Sequence, residues 1–117
     1  MQDCFFCKII KKQIPSQIVY EDEDVFAFKD IHPLAPVHVL IIPKKHISEI
    51  SEIKDEDRAL MGKIILTAKK IADSLDISKS GYKLLFRVGR DGGQEVPHVH
   101  LHLIGGAALF EDIHLIK

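Results

Sequence analysis

Three histidines alternate with apolar residues in one short segment, which reads His98, Val99, His100, Leu101, His102, Leu103 and Ile104. Side chains on a strand alternate between its two faces, so a strand here would place the three imidazoles on one face. Such a row is costly as packing, because each neutral ring needs hydrogen-bond partners and each charged ring repels the next. Imidazoles ligate metals, transfer protons and act as nucleophiles. The spacing therefore indicates a functional site.

The central imidazole, His100, is the candidate nucleophile. A neutral histidine can attack through Nε2 when an acceptor holds Nδ1–H and so fixes the tautomer. His98 and His102 would oppose protonation of His100, because a second positive charge nearby is unfavourable. Attack on phosphorus would give a phosphorus–nitrogen intermediate that water can cleave. The glycine-rich loop over residues 89–94 would bring backbone amides close to such a phosphate.

Other uses of these residues stay open on spacing alone. Two or three of the histidines could ligate a catalytic zinc ion, or all could be hydrogen-bonded core or surface residues. Cys4 and Cys7 form a CxxC pair. Because a disulfide does not persist in a reducing compartment, this pair is either two free thiols or half of a metal site.

The composition is typical of a soluble globular protein with one domain, here over residues 1–117. The chain has 46 % apolar and 28 % charged residues, and its net charge is −1 with acids and bases interspersed. No basic stripe indicates nucleic-acid binding, and the longest apolar run, over 37–43, is too short to cross a bilayer. The start of the chain lacks the basic residues of a signal peptide. We therefore expect a cytoplasmic protein that binds neither nucleic acid nor membrane.

The hydrophobic pattern predicts an α+β fold with a mostly antiparallel sheet, one long helix and a short N-terminal helix. The short helix is expected over 5–12, and the strands over 18–20, 25–28, 37–42, 82–88 and the histidine segment. The long helix is expected to begin at Asp55 as its cap. Its apolar stripe would be Leu60, Ile64, Ala68, Ile71, Ala72 and Leu75.

The histidine segment resembles the signature of the histidine triad superfamily of nucleotide hydrolases and transferases. Residues 30–31, 36–46 and 91–94 are similar, in the same order, to motifs of its Hint-like branch of purine nucleoside phosphoramidases. The resemblance runs from about Cys4 to Gly106. It implies the histidine triad fold and a homodimer with one continuous sheet. It also implies a purine nucleotide site and hydrolysis of the P–N bond of adenosine 5′-phosphoramidates, with release of AMP.

The resemblance also implies a role for individual residues. His100 matches the nucleophile, His38 and His102 match histidines that orient it and contact phosphate, and His98 matches the first member of the triad. Asp30 would bind the ribose hydroxyls, Ile31 would pack beside the base, and Gln94 would lie near the α-phosphate. The residues expected around the substrate are Asp30, Ile31, Arg87, Gln94, Glu95 and His102.

Two of those residues depart from the branch pattern. Arg87 stands where asparagine is usual, and Glu95 where serine or threonine is usual. A carboxylate would repel a phosphate and a guanidinium would attract it, unless the two side chains pair with each other. The alternative to a phosphoramidase is therefore a purine-nucleotide-binding regulatory protein with weak or altered hydrolysis, for example of dinucleoside polyphosphates.

Some members of the branch carry an N-terminal CxxC and bind zinc with it. The matching ligands are Cys4, Cys7, His46 and His98. The resemblance thus implies a structural Zn²⁺ with a closed Cys₂His₂ set, and no cofactor for catalysis.

Overall fold

The structure, a computed structural model, describes residues 3–116 and contains one five-stranded sheet with two helices. The elements are α1 (Phe5–Ile10), β1 (Ile18–Glu21), β2 (Val25–Lys29), β3 (Val37–Pro43), α2 (Arg58–Ser74), β4 (Tyr82–Leu85) and β5 (Leu101–Gly105). The strand order is β1-β2-β3-β5-β4, and every neighbouring pair is antiparallel. The predicted α+β fold is confirmed. Residues 1–2 and 117 of the predicted single domain lie outside the described residues.

Each face of the sheet covers its own hydrophobic core. Helix α2 packs on one face through its buried residues Ile64, Ala68, Ile71 and Ala72, which meet Val39 and Ile41 of β3 among others. Helix α1 covers the opposite face, where Phe6 and Ile9 pack with Leu40 and Ile42. Because β3 alternates its side chains between the two faces, His38 lies on the α1 face with Leu40.

The histidine segment is not one strand, and this part of the prediction is wrong. Strand β5 begins at Leu101, so His102 alone of the three lies in it. Pro97 has no N–H for a ladder, the N–H of His98 donates to the carbonyl of Val96 (2.8 Å), and that of Val99 donates to Ile47 (2.7 Å). The backbone before β5 is therefore diverted from the sheet. His98 and His100 are nevertheless fully or almost fully buried.

Other element boundaries also differ from the sequence predictions, and α1 ends at Ile10 instead of residue 12. Helix α2 begins at Arg58, after a single 3₁₀ turn over Asp55–Asp57. The carboxylate of Asp57, rather than that of Asp55, stabilises this turn by accepting from the Lys54 N–H (3.0 Å) and the Lys45 ammonium (2.6 Å). Strand β4 ends at Leu85 instead of Val88. Over residues 3–116, no helix combines the length and the apolar character needed to cross a membrane.

Candidate active site

His100 is held in a defined orientation by the backbone of its own segment. Its Nδ1 lies 2.7 Å from the carbonyl oxygen of His98. A carbonyl can only accept, so Nδ1 carries the proton and Nε2 keeps its lone pair. His100 also lines a cavity of about 280 Å³. The structure therefore provides the tautomer that a histidine nucleophile needs.

Burial favours the uncharged form of His100 and His102, which line the cavity, and of the neighbouring His38. It is the largest cause that lowers the pKa of His100 and of His38. For His102, burial together with the charges of His100 and Arg87 lowers the pKa to about 3. Burial therefore has a greater effect on the pKa of His100 than the neighbouring histidines, to which the sequence pattern pointed.

His38, His102 and Arg87 form a line of contacts that passes beside His100. The N–H of Leu34 donates to Nδ1 of His38 (3.1 Å), and Nε2 of His38 lies 2.9 Å from Nδ1 of His102. Nε2 of His102 lies 3.0 Å from Nη1 of Arg87. The rings of His100 and His102 are 5.0 Å apart between centroids. These contacts bring together three of the four predicted catalytic histidines.

The cavity combines an apolar lining with a few polar groups. Phe5, Phe6, Ile9, Phe28, Ile31 and Leu40 supply the apolar lining. Asp30, Glu95, His100 and His102 are among the polar residues that line it. Oδ2 of Asp30 lies 3.4 Å from Nε2 of His38, and Oδ1 accepts from the N–H of His32. A flat apolar ring attached to a sugar and an anionic group fits such a mixed lining.

The loop over residues 89–94 has a conformation that depends on glycine and on Gln94. Gly89 and Gly93 have φ angles of 67° and 79°, which side chains disfavour. The Gln94 side chain accepts from the N–H of Gly89 (2.9 Å) and donates to the carbonyls of Ser48 (2.7 Å) and Val96 (2.9 Å). All of these contacts are internal. In this structure Gln94 therefore shapes the loop, and the N–H groups of Gly89, Gly93 and Gln94 are all bonded within it.

Phe6 contacts His100, and the sequence pattern did not indicate this contact. Its ring meets that of His100 edge to face, with centroids 5.1 Å apart and an angle of 89°, and it lies 6.0 Å from the ring of His98. The apolar spacing of α1 predicts that Phe6 is buried. The spacing carries no signal for which imidazole the ring touches.

Cys4, Cys7, His46 and His98 form a compact cluster beneath α1. Their ligand atoms all lie within 4.8 Å of one another. The Sγ–Nδ1 distances are 3.3 Å for Cys4 to His98 and 3.4 Å for Cys7 to His46. A tetrahedral ion with bonds of about 2.0 Å to nitrogen and about 2.3 Å to sulfur requires ligand separations of about 3.3 to 3.8 Å. The donor set fits a structural metal ion.

Hydrogen bonds around the cluster orient the side chains so that their ligand atoms face its centre. His98 Nε2 lies 2.8 Å from the carbonyl oxygen of Pro43, so it carries the proton and Nδ1 offers its lone pair to the cluster. Sγ of Cys4 accepts from the N–H of Cys7 at the start of α1. Burial raises the pKa of the Cys7 thiol to about 11, so the thiolate form needs a cation beside it. His98 thus contacts the cluster through its ring and His100 through its backbone carbonyl.

Arg87 and Glu95 do not pair with each other. Among residues 3–116, no salt bridge within 4.0 Å joins them, so of the possibilities left open by the sequence, mutual pairing is not the one adopted. Arg87 instead approaches His102, and its positive charge contributes to lowering the pKa of His38, His100 and His102. Glu95 is exposed and lines the cavity, and its charge offsets a small part of the lowering of the His100 pKa. The two substitutions therefore act on the site separately.

Comparison with known proteins places this geometry among related chains. Residues 11–109 match the family model described as HIT domain. The chain is 45 % identical over 108 residues to a purine nucleoside phosphoramidase of Escherichia coli, which covers 92 % of this chain and 91 % of the relative. A HIT family hydrolase from Clostridium thermocellum superposes with a TM-score of 0.93 at 47 % identity, over 97 % of this chain and 99 % of the other. A histidine triad protein from Clostridium difficile gives a TM-score of 0.93 at 40 % identity, over 97 % and 98 %.

Proposed function

This chain belongs to the HIT domain family, and from that premise we propose that it is a purine nucleoside phosphoramidase that cleaves adenosine 5′-phosphoramidates through a nucleotidyl-His100 intermediate. The observation that carries the proposal is the 2.7 Å contact between Nδ1 of His100 and the carbonyl of His98. It leaves Nε2 unprotonated in a ring that lines the cavity. An imidazole in this state is ready to attack an electrophilic phosphorus.

The substrate would occupy the cavity that His100 and His102 line. The purine would pack beside Ile31 and Phe28, and the carboxylate of Asp30 would accept from the ribose hydroxyls. The phosphate would then lie beside His100 and His102. Those backbone N–H groups of the 89–94 loop that are not bonded within it would stabilise charge on its non-bridging oxygens.

The reaction would proceed in two displacements at phosphorus. In the first, Nε2 of His100 bonds to phosphorus, the P–N bond of the substrate breaks, and the amine leaves after taking a proton from water. In the second, water attacks phosphorus, the bond to His100 breaks, and AMP is released with a proton passing to solvent. His98 would keep Nδ1–H of His100 bonded throughout, which stabilises the positive charge on the ring of the intermediate.

We infer that the Cys₂His₂ cluster binds Zn²⁺ in a structural role. Two thiolates and two imidazoles in a closed tetrahedral set suit zinc better than hard cations, which prefer oxygen ligands. Such an ion would fix α1, and with it Phe6, against the segment that carries His100. No step of the proposed reaction passes through it.

A homodimer is also part of the proposal. Strands β1 and β4 form the two edges of the sheet, and Leu84 on β4 is partly exposed. Pairing of such an edge with a second copy would give the continuous sheet that the family resemblance implies. Sedimentation velocity should show a species of twice the chain mass, and a monomer at micromolar concentration would contradict this part.

The test of the function is AMP release from adenosine 5′-phosphoramidate, compared between the wild-type protein and His100→Ala. We expect release by the wild-type protein and a loss of at least about a thousandfold in the variant. AMP binding without turnover by the wild-type protein would instead favour a nucleotide-binding regulatory protein. Circular dichroism and thermal unfolding of both proteins show whether the variant is folded.

A further inference from the structure

The contact between Arg87 and His102 lacks a hydrogen-bond acceptor. The line of contacts runs from the N–H of Leu34 through His38 and His102 to the guanidinium of Arg87, and both of its ends can only donate. Each neutral imidazole adds one donor and one acceptor. Three contacts therefore contain four donors and two acceptors, so one contact must join two N–H groups.

The orientation of His38 decides where this mismatch lies. Its Nδ1 accepts from the backbone N–H of Leu34, so its proton is on Nε2, which faces Nδ1 of His102 at 2.9 Å and, farther away, the carboxylate of Asp30 at 3.4 Å. The proton of His102 is then on Nε2, directly opposite Nη1 of Arg87 at 3.0 Å. An asparagine at position 87 would supply a carbonyl acceptor here. Arginine supplies none, and an anionic oxygen between the two N–H groups would satisfy both.

The charge of Arg87 is available to such an anion. Within residues 3–116 no carboxylate lies within 4.0 Å of its guanidinium, whereas Lys83 nearby is paired with Glu111 at 2.5 Å. Its side chain is held against the glycine-rich loop, where a Cβ at Gly93 would lie 3.6 Å from Cδ of Arg87. The residue is half-buried, so an ion pair there is screened less than one on the surface.

Arg87 lines a different cavity from the one proposed for the nucleoside. His102 lines the 280 Å³ cavity that contains Asp30 and Ile31. Arg87 lines a second cavity, of about 840 Å³, together with Leu34 and Gly92. With the reacting phosphorus beside His100 and His102, a group held by Arg87 would belong to the part of the substrate beyond phosphorus.

We propose that Arg87 is a specificity-determining residue that binds a carboxylate or phosphate on the leaving group. The preferred substrates would then be nucleoside phosphoramidates whose leaving group carries a negative charge. This inference rests on the proposed function, because it assigns the substrate class of the same site. It also explains why arginine, instead of the asparagine usual in this branch, occupies position 87: arginine can bind an anion on the leaving group.

The experiment compares pairs of substrates that differ in leaving-group charge. Adenosine 5′-phosphoramidates linked through nitrogen to glycine or to glycinamide have nearly the same shape, and the first carries the carboxylate. Adenosine 5′-imidodiphosphate, with a P–N–P linkage, supplies a phosphate instead. We expect the kcat/KM ratio of glycine to glycinamide substrate to fall about tenfold in Arg87→Gln, with partial rescue in Arg87→Lys. If Arg87→Gln lowers kcat/KM for the imidodiphosphate alone, the anion that Arg87 binds is a phosphate.

The control is Arg58→Gln, which removes the same charge from an exposed site at the start of α2 and should leave both ratios unchanged. Equal slowing of all substrates in Arg87→Gln would overturn the inference, because it would place Arg87 at the α-phosphate or in a structural role. If the wild-type protein does not hydrolyse even unsubstituted phosphoramidate, the proposed function fails. In that case the dissociation constants of the same substrate pairs still test the inference. They are measured for the His100→Ala protein and for the double variant that also carries Arg87→Gln.

Discussion

Replacing Gly92 with alanine tests whether the backbone of the 89–94 loop belongs to the active site. A Cβ at this position would lie 2.3 Å from the carbonyl oxygen of Val88 and 2.7 Å from its nitrogen, where real Cβ contacts essentially never fall below 3.0 Å. The obstructing atoms are backbone, so the loop itself must move by roughly 0.7 Å or more, and overpacking of this kind costs about 1–3 kcal/mol. A misplacement near 1 Å can lower a rate by about a hundredfold. We therefore expect kcat/KM on adenosine 5′-phosphoramidate to fall by about that factor.

The matched control is Gly62→Ala, which adds the same methyl group where nothing lies within 4 Å. Gly62 is in the interior of α2, so alanine should stabilise the protein by about 0.5–1 kcal/mol and leave the rate unchanged. Urea unfolding and steady-state kinetics on both variants separate stability from activity. A Gly92→Ala protein with wild-type kcat/KM would refute the assignment of this loop to the phosphate.

Two further predictions concern the metal cluster and the buried histidines. Cys7→Ser should reduce bound zinc from one equivalent to near zero, measured by plasma emission spectrometry, and a chelator should lower the melting temperature of the wild-type protein but not of the variant. Zinc retained at one equivalent in the variant would contradict the ligand set. The free energy of unfolding should fall as the pH decreases from about 6.5 towards 3, because the unfolded chain takes up a proton at His102 that the folded protein, with a pKa of about 3 there, does not. Urea titrations should give a smaller pH slope in His102→Asn, and an equal slope would show that this residue is not buried in its neutral form.

The sequence indicates which residues form the candidate site, but it does not show how their side chains are arranged. Alternation over 98–104 predicts that Val99, Leu101 and Leu103 point into a core, and their burial confirms this. The alternation cannot show that the backbone leaves the sheet before Leu101, because that depends on a hydrogen bond from Val99 to the distant Ile47. The local alternation predicts a strand from residue 98, whereas the hydrogen bond between Val99 and Ile47 holds the backbone out of the sheet until Leu101.

Contacts between distant residues set the remaining details. His38 and His102 are 64 positions apart, and no periodicity predicts that their ring nitrogens meet at 2.9 Å. The same holds for Phe6, whose burial is predictable from α1 and whose edge-on contact with His100 is not. Gln94 matches a family motif, yet the motif does not reveal that its side chain bonds within the loop. Residue types indicate the chemistry, and the tertiary structure decides the role of each group.

The most direct test of the central claim is detection of the covalent intermediate on His100. Wild-type protein is mixed with excess adenosine 5′-phosphoramidate, quenched within milliseconds under alkaline denaturing conditions that preserve phosphohistidine, and analysed by intact-protein and peptide mass spectrometry. The account predicts a transient mass increase of one nucleotidyl group, located on the peptide that contains His100 and absent from His100→Ala. AMP formation by the wild-type protein at full rate with no adduct, or with the adduct on another residue, would contradict it.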